Sequence, residues 1–213
     1  MRSSVPIPGN PWPHDMTLTI EDNSNPLLEL LWIREAWDLQ PVGDDLPPLL
    51  SDSSVGAQIE SGSLVEIAQW RDGWPVVWEA CIQHASQIQD VRLFDELLTT
   101  SNGSTERLEL LARIAGPYWR DTFGDFALTD RYGAWTMARC EAHSRHNSRP
   151  LEEEPERVSL AALIPAWESG LTKIVVIPCR GDYTRIIGEH SLLVTAETRD
   201  DPERYSEALA RFR

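Results

Sequence analysis

A chain of 213 residues, 41% apolar and 25% charged, has the composition of a globular protein and is long enough to bury one core or two small ones. Its net charge of −15 disfavours direct binding to nucleic-acid phosphates or anionic lipid and steers basic partners toward it. No apolar run reaches the roughly 18 residues that a membrane-spanning helix needs, so no such span is expected.

The N-terminal stretch MRSSVPIPGNPWPHDM lacks the apolar segment of a signal peptide. The widely spaced Cys81, Cys140 and Cys179 do not resemble a disulfide framework. Both features lead to the expectation of a cytoplasmic protein with reduced thiols. Residues 1–24 hold four prolines and read as a flexible or docked tail. One folded domain is expected from 25 to 213, with candidate subdomain edges at 41–62 and 144–157.

The first expected helix is NPLLELLWIREAWDL, with Asn25 as cap, Pro26 at the first helical position and Pro41 as terminator. A polar, Pro- and Gly-rich connection follows over 41–62. SLVEIAQWRDG then offers a capping box, Ser63 with Glu66, and Gly73 as a stop. From Pro75 to Thr100 the apolar spacing is helical with a slip near Asp90, which predicts two helices or one kinked helix. TERLELLARIAG is a short amphipathic helix ended by Gly116-Pro117. Residues 118–140 are aromatic-rich and resist assignment, and 144–157 form a charged loop.

VSLAALIPAWESG reads as a helix disturbed at Pro165 and ended by Gly170. Three β-prone runs follow, 173–179, 183–187 and 191–196, and DDPERYSEALARF closes the chain as a helix capped by Asp201. The expected fold is α+β: mainly helical, with a small C-terminal antiparallel three-stranded meander packed against helices.

Cys179 and Arg185 reproduce the bare C-x5-R spacing of cysteine-dependent phosphatases, in which a thiolate attacks phosphorus and an arginine holds the phosphate oxygens. That motif needs a strand, a loop and then a helix, whereas IIGEHSLLVTA after Arg185 is β-prone. Gly181-Asp182 instead predicts a hairpin turn pairing Cys179 with Thr184, which sends Arg185 to the opposite face. Arginine is also abundant, since Lys173 is the lone lysine among 19 basic residues, so the spacing arises easily by chance. The turn is the preferred reading. The tripeptide Arg180-Gly181-Asp182 is expected at its tip and reads as coincidence.

Cys140, His143 and His146 form C-x2-H-x2-H, but the third position rotates off the helical face of the first two and no fourth ligand is evident; no metal is expected. Nine tryptophans are many for this length. Trp32, Trp37, Trp78 and Trp167 fit core faces, while Trp70 and Trp74 flank the expected break and are read as more exposed. The run YWRDTFGDFALTDRYGAW sets Trp119, Tyr132 and Trp135 beside Arg120, Asp121, Asp125 and Arg131. Aromatic walls with a few convergent charges suit a ligand pocket or a protein interface, although core packing is the plainer reading.

G-x-S-x-G, HExxH, Walker A and G-x-G-x-x-G are all absent, and no motif specifies a cofactor. The functional expectation is a non-catalytic acidic protein that binds another macromolecule, in an inhibitory, immunity-type or regulatory role, with a basic protein as the expected partner. The alternative is a small-molecule enzyme or ligand-binding protein with its pocket at 118–135; phosphatase chemistry at Cys179 and Arg185 is its weakest version.

Overall fold

The computed structural model describes residues 9–52, 64–88, 90–146 and 150–212, with the side chains of 64, 65 and 143–146 excepted. In chain order the described elements are β1 (Thr19–Glu21), α1 (Asn25–Ala36), α2 (Leu64–Ala85), α3 (Arg92–Thr99), α4 (Thr105–Ala115), α5 (Trp119–Phe123) and α6 (Asp130–His146). A 3-10 turn at Leu151–Glu153 leads to α7 (Pro155–Val158), α8 (Leu160–Glu168), β2 (Lys173–Ile177), β3 (Thr184–Ile187), β4 (Ser191–Thr195), α9 (Ala196–Asp200) and α10 (Pro202–Ala210). The class is α+β.

The sheet is mixed and not a meander. Its order is β1-β2-β4-β3, with β1 and β4 both parallel to β2 and only β3 antiparallel, against β4. Two differences from the sequence reading follow. Residues 19–21, assigned to the tail, supply an edge strand. The chain crosses from β2 to the far edge before turning back, so Cys179 is not paired with Thr184. The turn between the second and third β-prone runs is a hairpin, as the meander requires; it lies at 188–190, where Gly188 adopts φ 63° between β3 and β4.

The physical reason lies in KIVVI and SLLVT, which are buried at every position. Such strands need a neighbour along each edge and cover on both faces, the environment of central parallel strands. Ile174, Val176, Leu192 and Val194 face one core, shared with Leu163 and Ala166 of α8 and Tyr205 and Leu209 of α10. Val175, Ile177 and Leu193 face the other, beneath α1 and α2. The register that pairs Val175 with Leu193 and Val176 with Val194 keeps the two sets apart.

Helix α1 begins after Ser24, one residue earlier than the expected cap, and ends at Ala36 rather than Pro41. It is buried on nearly every side, and this includes Glu29. Helix α2 runs through both expected breakers, Gly73 and Pro75. Trp70, Trp74 and Trp78, spaced four apart, form its inner face. Trp70 and Trp74 are therefore core residues, at 4% and 0% exposure, contrary to the sequence reading. Trp74 stacks on Trp78 at 5.2 Å and donates its indole N–H to the Leu30 carbonyl at 2.9 Å. Burial of these rings offsets Pro75, whose missing hydrogen bond and ring clash together cost about 3 kcal/mol in a helix interior.

Candidate functional site

The aromatic segment divides between core and cleft. Trp119 and Trp135 point inward: Trp119 is fully buried, 5.7 Å from Trp70, and Trp135 packs near Tyr132. None of Trp119, Trp135, Trp70 and Trp74 lines the cleft that the rest of the segment forms. Arg131 is half-buried and also stands outside it. Arg120, Asp121 and Tyr132 converge on an open cleft of about 500 Å³ between α1, α5 and α6, with Asn25, Tyr118 and Thr136. Asp125 stands beside it, on Arg120.

At this cleft lies a residue the sequence reading missed. Glu29 is 4% exposed and accepts a hydrogen bond on Oε1 from Arg120 Nη2 at 3.0 Å. Arg120 Nη1 reaches Asp125 at 3.3 Å. The second oxygen, Oε2, is buried and accepts no hydrogen bond from any described residue. Burial raises the Glu29 carboxyl above its ordinary value of 4.5; Arg120 opposes that shift, and Asp125 and Asp121 add to it. Tyr132 is pushed up to about 12 by burial and by the negative charge of Glu29, and Tyr118 is raised by the same two causes.

The local sequence explains how this site is held. Asp121 accepts the Tyr118 backbone N–H at 2.9 Å, which fixes the start of α5 and aims Arg120 back toward α1. The signal for Glu29 was a single carboxylate within PLLELLWI, a helix apolar all round. A charge in that setting is either paired or functional.

A larger cavity of about 770 Å³ adjoins the cleft, sharing Asn25 and Tyr118, and lies between the end of α2, the α3–α4 pair and β1. Several of its polar groups are engaged. Lys173 Nζ contacts Glu21 at 2.6 Å and donates to the Gln87 carbonyl at 3.3 Å. His84 meets the Arg113 carbonyl at 3.1 Å, and the Cys81 thiol donates to the Pro117 carbonyl at 3.1 Å, its pKa pushed by burial to about 12.

Cys179 and Arg185 do not form a phosphate cradle. Cys179 is fully buried, and burial pushes its thiol pKa well up. Arg185 opens into β3, donates to Glu79 at 2.9 Å and lies 3.1 Å from Asp45. The intervening Arg180-Gly181-Asp182 is no hairpin tip: Gly181 N–H is held by Glu197 at 2.7 Å, and Asp182 accepts from the Thr198 hydroxyl at 3.0 Å. The side chains of His143 and His146 lie outside the described residues. No cluster of three or more potential metal ligands occurs among those described.

No family model, curated protein or solved structure matches this chain. Its chemistry is therefore read from its own side chains.

One further surface stands out. Helices α3 and α4 pack chiefly on each other. Their inward residues Leu93 and Leu110 belong to neither core. Outward, Val91, Phe94 and Leu98 form one stripe along α3, with 73%, 42% and 83% exposure. Leu108 and Leu111 do the same on α4, at 61% and 41%. Large apolar groups repeated at helical spacing on the solvent side are what a protein contact leaves exposed.

Proposed function

We propose that the chain is a non-catalytic acidic binding protein that docks a basic partner protein through the α3–α4 pair. The observation that carries this reading is the exposed apolar stripe of Val91, Phe94 and Leu98. Fully burying such side chains is worth about 1.5–3 kcal/mol each, so three of them supply a sizeable part of a specific interface. Between residues 90 and 115 there are five carboxylates against three arginines, and Arg107 is spent on the Leu97 carbonyl at 2.6 Å. An apolar stripe within an acidic field suits an amphipathic helix with lysine or arginine along its flanks.

The test is co-purification from the chain's own cells, with native mass spectrometry comparing wild type, Leu98→Asp and Val42→Asp. Val42 is 90% exposed and lies far from α3 in sequence, so its variant controls for added charge. A stoichiometric basic polypeptide, retained by Val42→Asp, lost by Leu98→Asp and released by salt, is the expected result. Equal retention by both variants removes the reading, as does the absence of any stoichiometric polypeptide.

A second reading, a small-ligand pocket at 118–135, is favoured by a separate observation: the unpartnered, buried Glu29 Oε2 at the Tyr118–Tyr132 cleft.

A further inference from the structure

We infer that the cleft between α1, α5 and α6 is a binding site for an organic cation, an alkylammonium or alkylguanidinium group, received by Glu29 between Tyr118 and Tyr132. The inference rests on the small-ligand reading of this cleft and is independent of the α3–α4 surface.

Three features select this class of ligand. The first is the Glu29 side chain, 5% exposed, with Oε1 taken by Arg120 and Oε2 left without a donor. A carboxylate oxygen withdrawn from water and lacking a hydrogen bond is costly, and a ligand N–H that reaches it recovers that cost. A ligand that brings only acceptors gains nothing there.

Charge is the second feature. Among the described residues, Glu29, Asp121 and Asp125 face one cation, Arg120, which is already shared between Glu29 and Asp125 at 3.0 and 3.3 Å. The cleft therefore holds surplus negative charge after its internal pair is formed, and an anionic ligand is disfavoured. The third feature is the pair of tyrosines. Their rings stand on two different elements, Tyr118 before α5 and Tyr132 on α6, and both line the cleft. Aromatic walls stabilise a desolvated cation through their π faces while their hydroxyls remain neutral donors. Burial and Glu29 keep both phenols protonated through the neutral range.

The groups facing Glu29 are Arg120, Asp121 and Asp125 from the α5 region, Tyr118 before α5, Tyr132 from α6 and Cys81 from α2. Because the Glu29 carboxyl is raised, it begins to take up a proton above its ordinary value of 4.5 as a neutral solution is acidified, and cation binding should fall over that range.

The experiment titrates the full chain with n-butylammonium, n-butylguanidinium and N-acetyl-arginine amide, with N-butylurea as neutral control, by two-dimensional NMR at constant ionic strength. The expected result is saturable binding of the cations, with shifts centred on Asn25, Tyr118 and Tyr132 and roughly tenfold weaker binding or worse in folded Glu29→Gln. Wild-type binding should also weaken on acidification from neutral pH, with that dependence reduced in the variant. If Glu29→Gln does not fold, Tyr132→Leu serves instead, retaining the carboxylate and weakening binding several-fold.

Preference for N-acetyl-arginine amide would identify a partner's side chain as the natural cation, and preference for the simple alkyl cations a free amine. Either preference supports the site. Equal binding of N-butylurea overturns the cation assignment while leaving a pocket. Binding of no probe overturns the pocket reading as well. Cation binding that Glu29→Gln leaves unchanged assigns the effect to the general acidic surface and also overturns the inference.

Discussion

Gly73 lies against the ring of Phe123, which also packs on Trp119. A Cβ at position 73 would overlap Phe123 Cζ and come within 2.9 Å of Cε2, and the Phe123 ring is already 4.5 Å from that of Trp119. The glycine that reads as a helix stop is thus a notch in a continuous helix.

Gly73→Ala should therefore destabilise the protein despite the better helix propensity of alanine. Overpacking costs about 1–3 kcal/mol and the propensity gain returns about 1. In a Phe123→Ala background the same substitution should become neutral or stabilising. Urea midpoints of the four proteins check the change of sign; additivity between the two sites would count against the contact.

Glu156 is buried between Arg199 and Tyr205, accepting from Arg199 Nε at 2.8 Å and Nη2 at 2.7 Å and from the Tyr205 hydroxyl at 2.9 Å. Glu156→Ala takes the main partner from a half-buried guanidinium and strands a buried phenol. A loss of about 3–5 kcal/mol is expected, read as a fall in unfolding midpoint. Replacing Glu156 and Arg199 together with apolar residues should cost less than the single change.

Alkaline solution should weaken the fold. Burial raises Cys81 from 9 to about 12, and Tyr132 and Tyr183 from 10 to about 12. In the unfolded chain these groups release protons at their ordinary values, whereas in the folded chain they hold them. Their contribution is complete below pH 9 and is lost as pH climbs from 9 toward 12. Denaturant midpoints across that range should fall, with a shallower decline in Cys81→Ala.

Thiol reactivity should separate the three cysteines. Cys140 is exposed, whereas Cys81 and Cys179 are buried with raised thiols. One thiol should react rapidly with a chromogenic disulfide at neutral pH and two only on unfolding. Rapid labelling of Cys179 in the folded protein would reopen the C-x5-R motif as a nucleophile.

On the outer surface of α3, Leu98→Asp should change stability by no more than about 0.5 kcal/mol, because 83% of that side chain is already in water. A large loss of thermal stability would mean that Leu98 packs within the fold and is unavailable to a partner.

Much of this architecture was legible in local chemistry. Asp201 caps α10 by accepting from the N–H groups of Glu203 and Arg204, as the DDPERY stretch implies. Ser104 caps α4, and Gly116 ends it at φ 77°. All three C-terminal β-prone runs became strands, and two of them, KIVVI and SLLVT, are buried at every position. These features depend on neighbours a few residues away, which the sequence displays directly.

Strand order was not legible, because pairing depends on which edges remain open once two fully buried strands are centred, and β1 arrives from about 150 residues away. Trp70 and Trp74 were misread for a related reason: local breaker signals at Gly73 and Pro75 were outweighed by the burial of three indoles. The cleft was half legible. Arg120, Asp121 and Tyr132 stood out as charges among aromatics, but Glu29 lies 91 residues before Arg120, and only the packing of α5 against α1 brings that pair together. What the sequence by itself determined was class, charge, the Asp201 cap of α10, the Gly116 end of α4 and most helices. Tertiary structure decided which aromatics face solvent and which carboxylate is left with one oxygen unpaired, because both depend on contacts between segments remote along the chain.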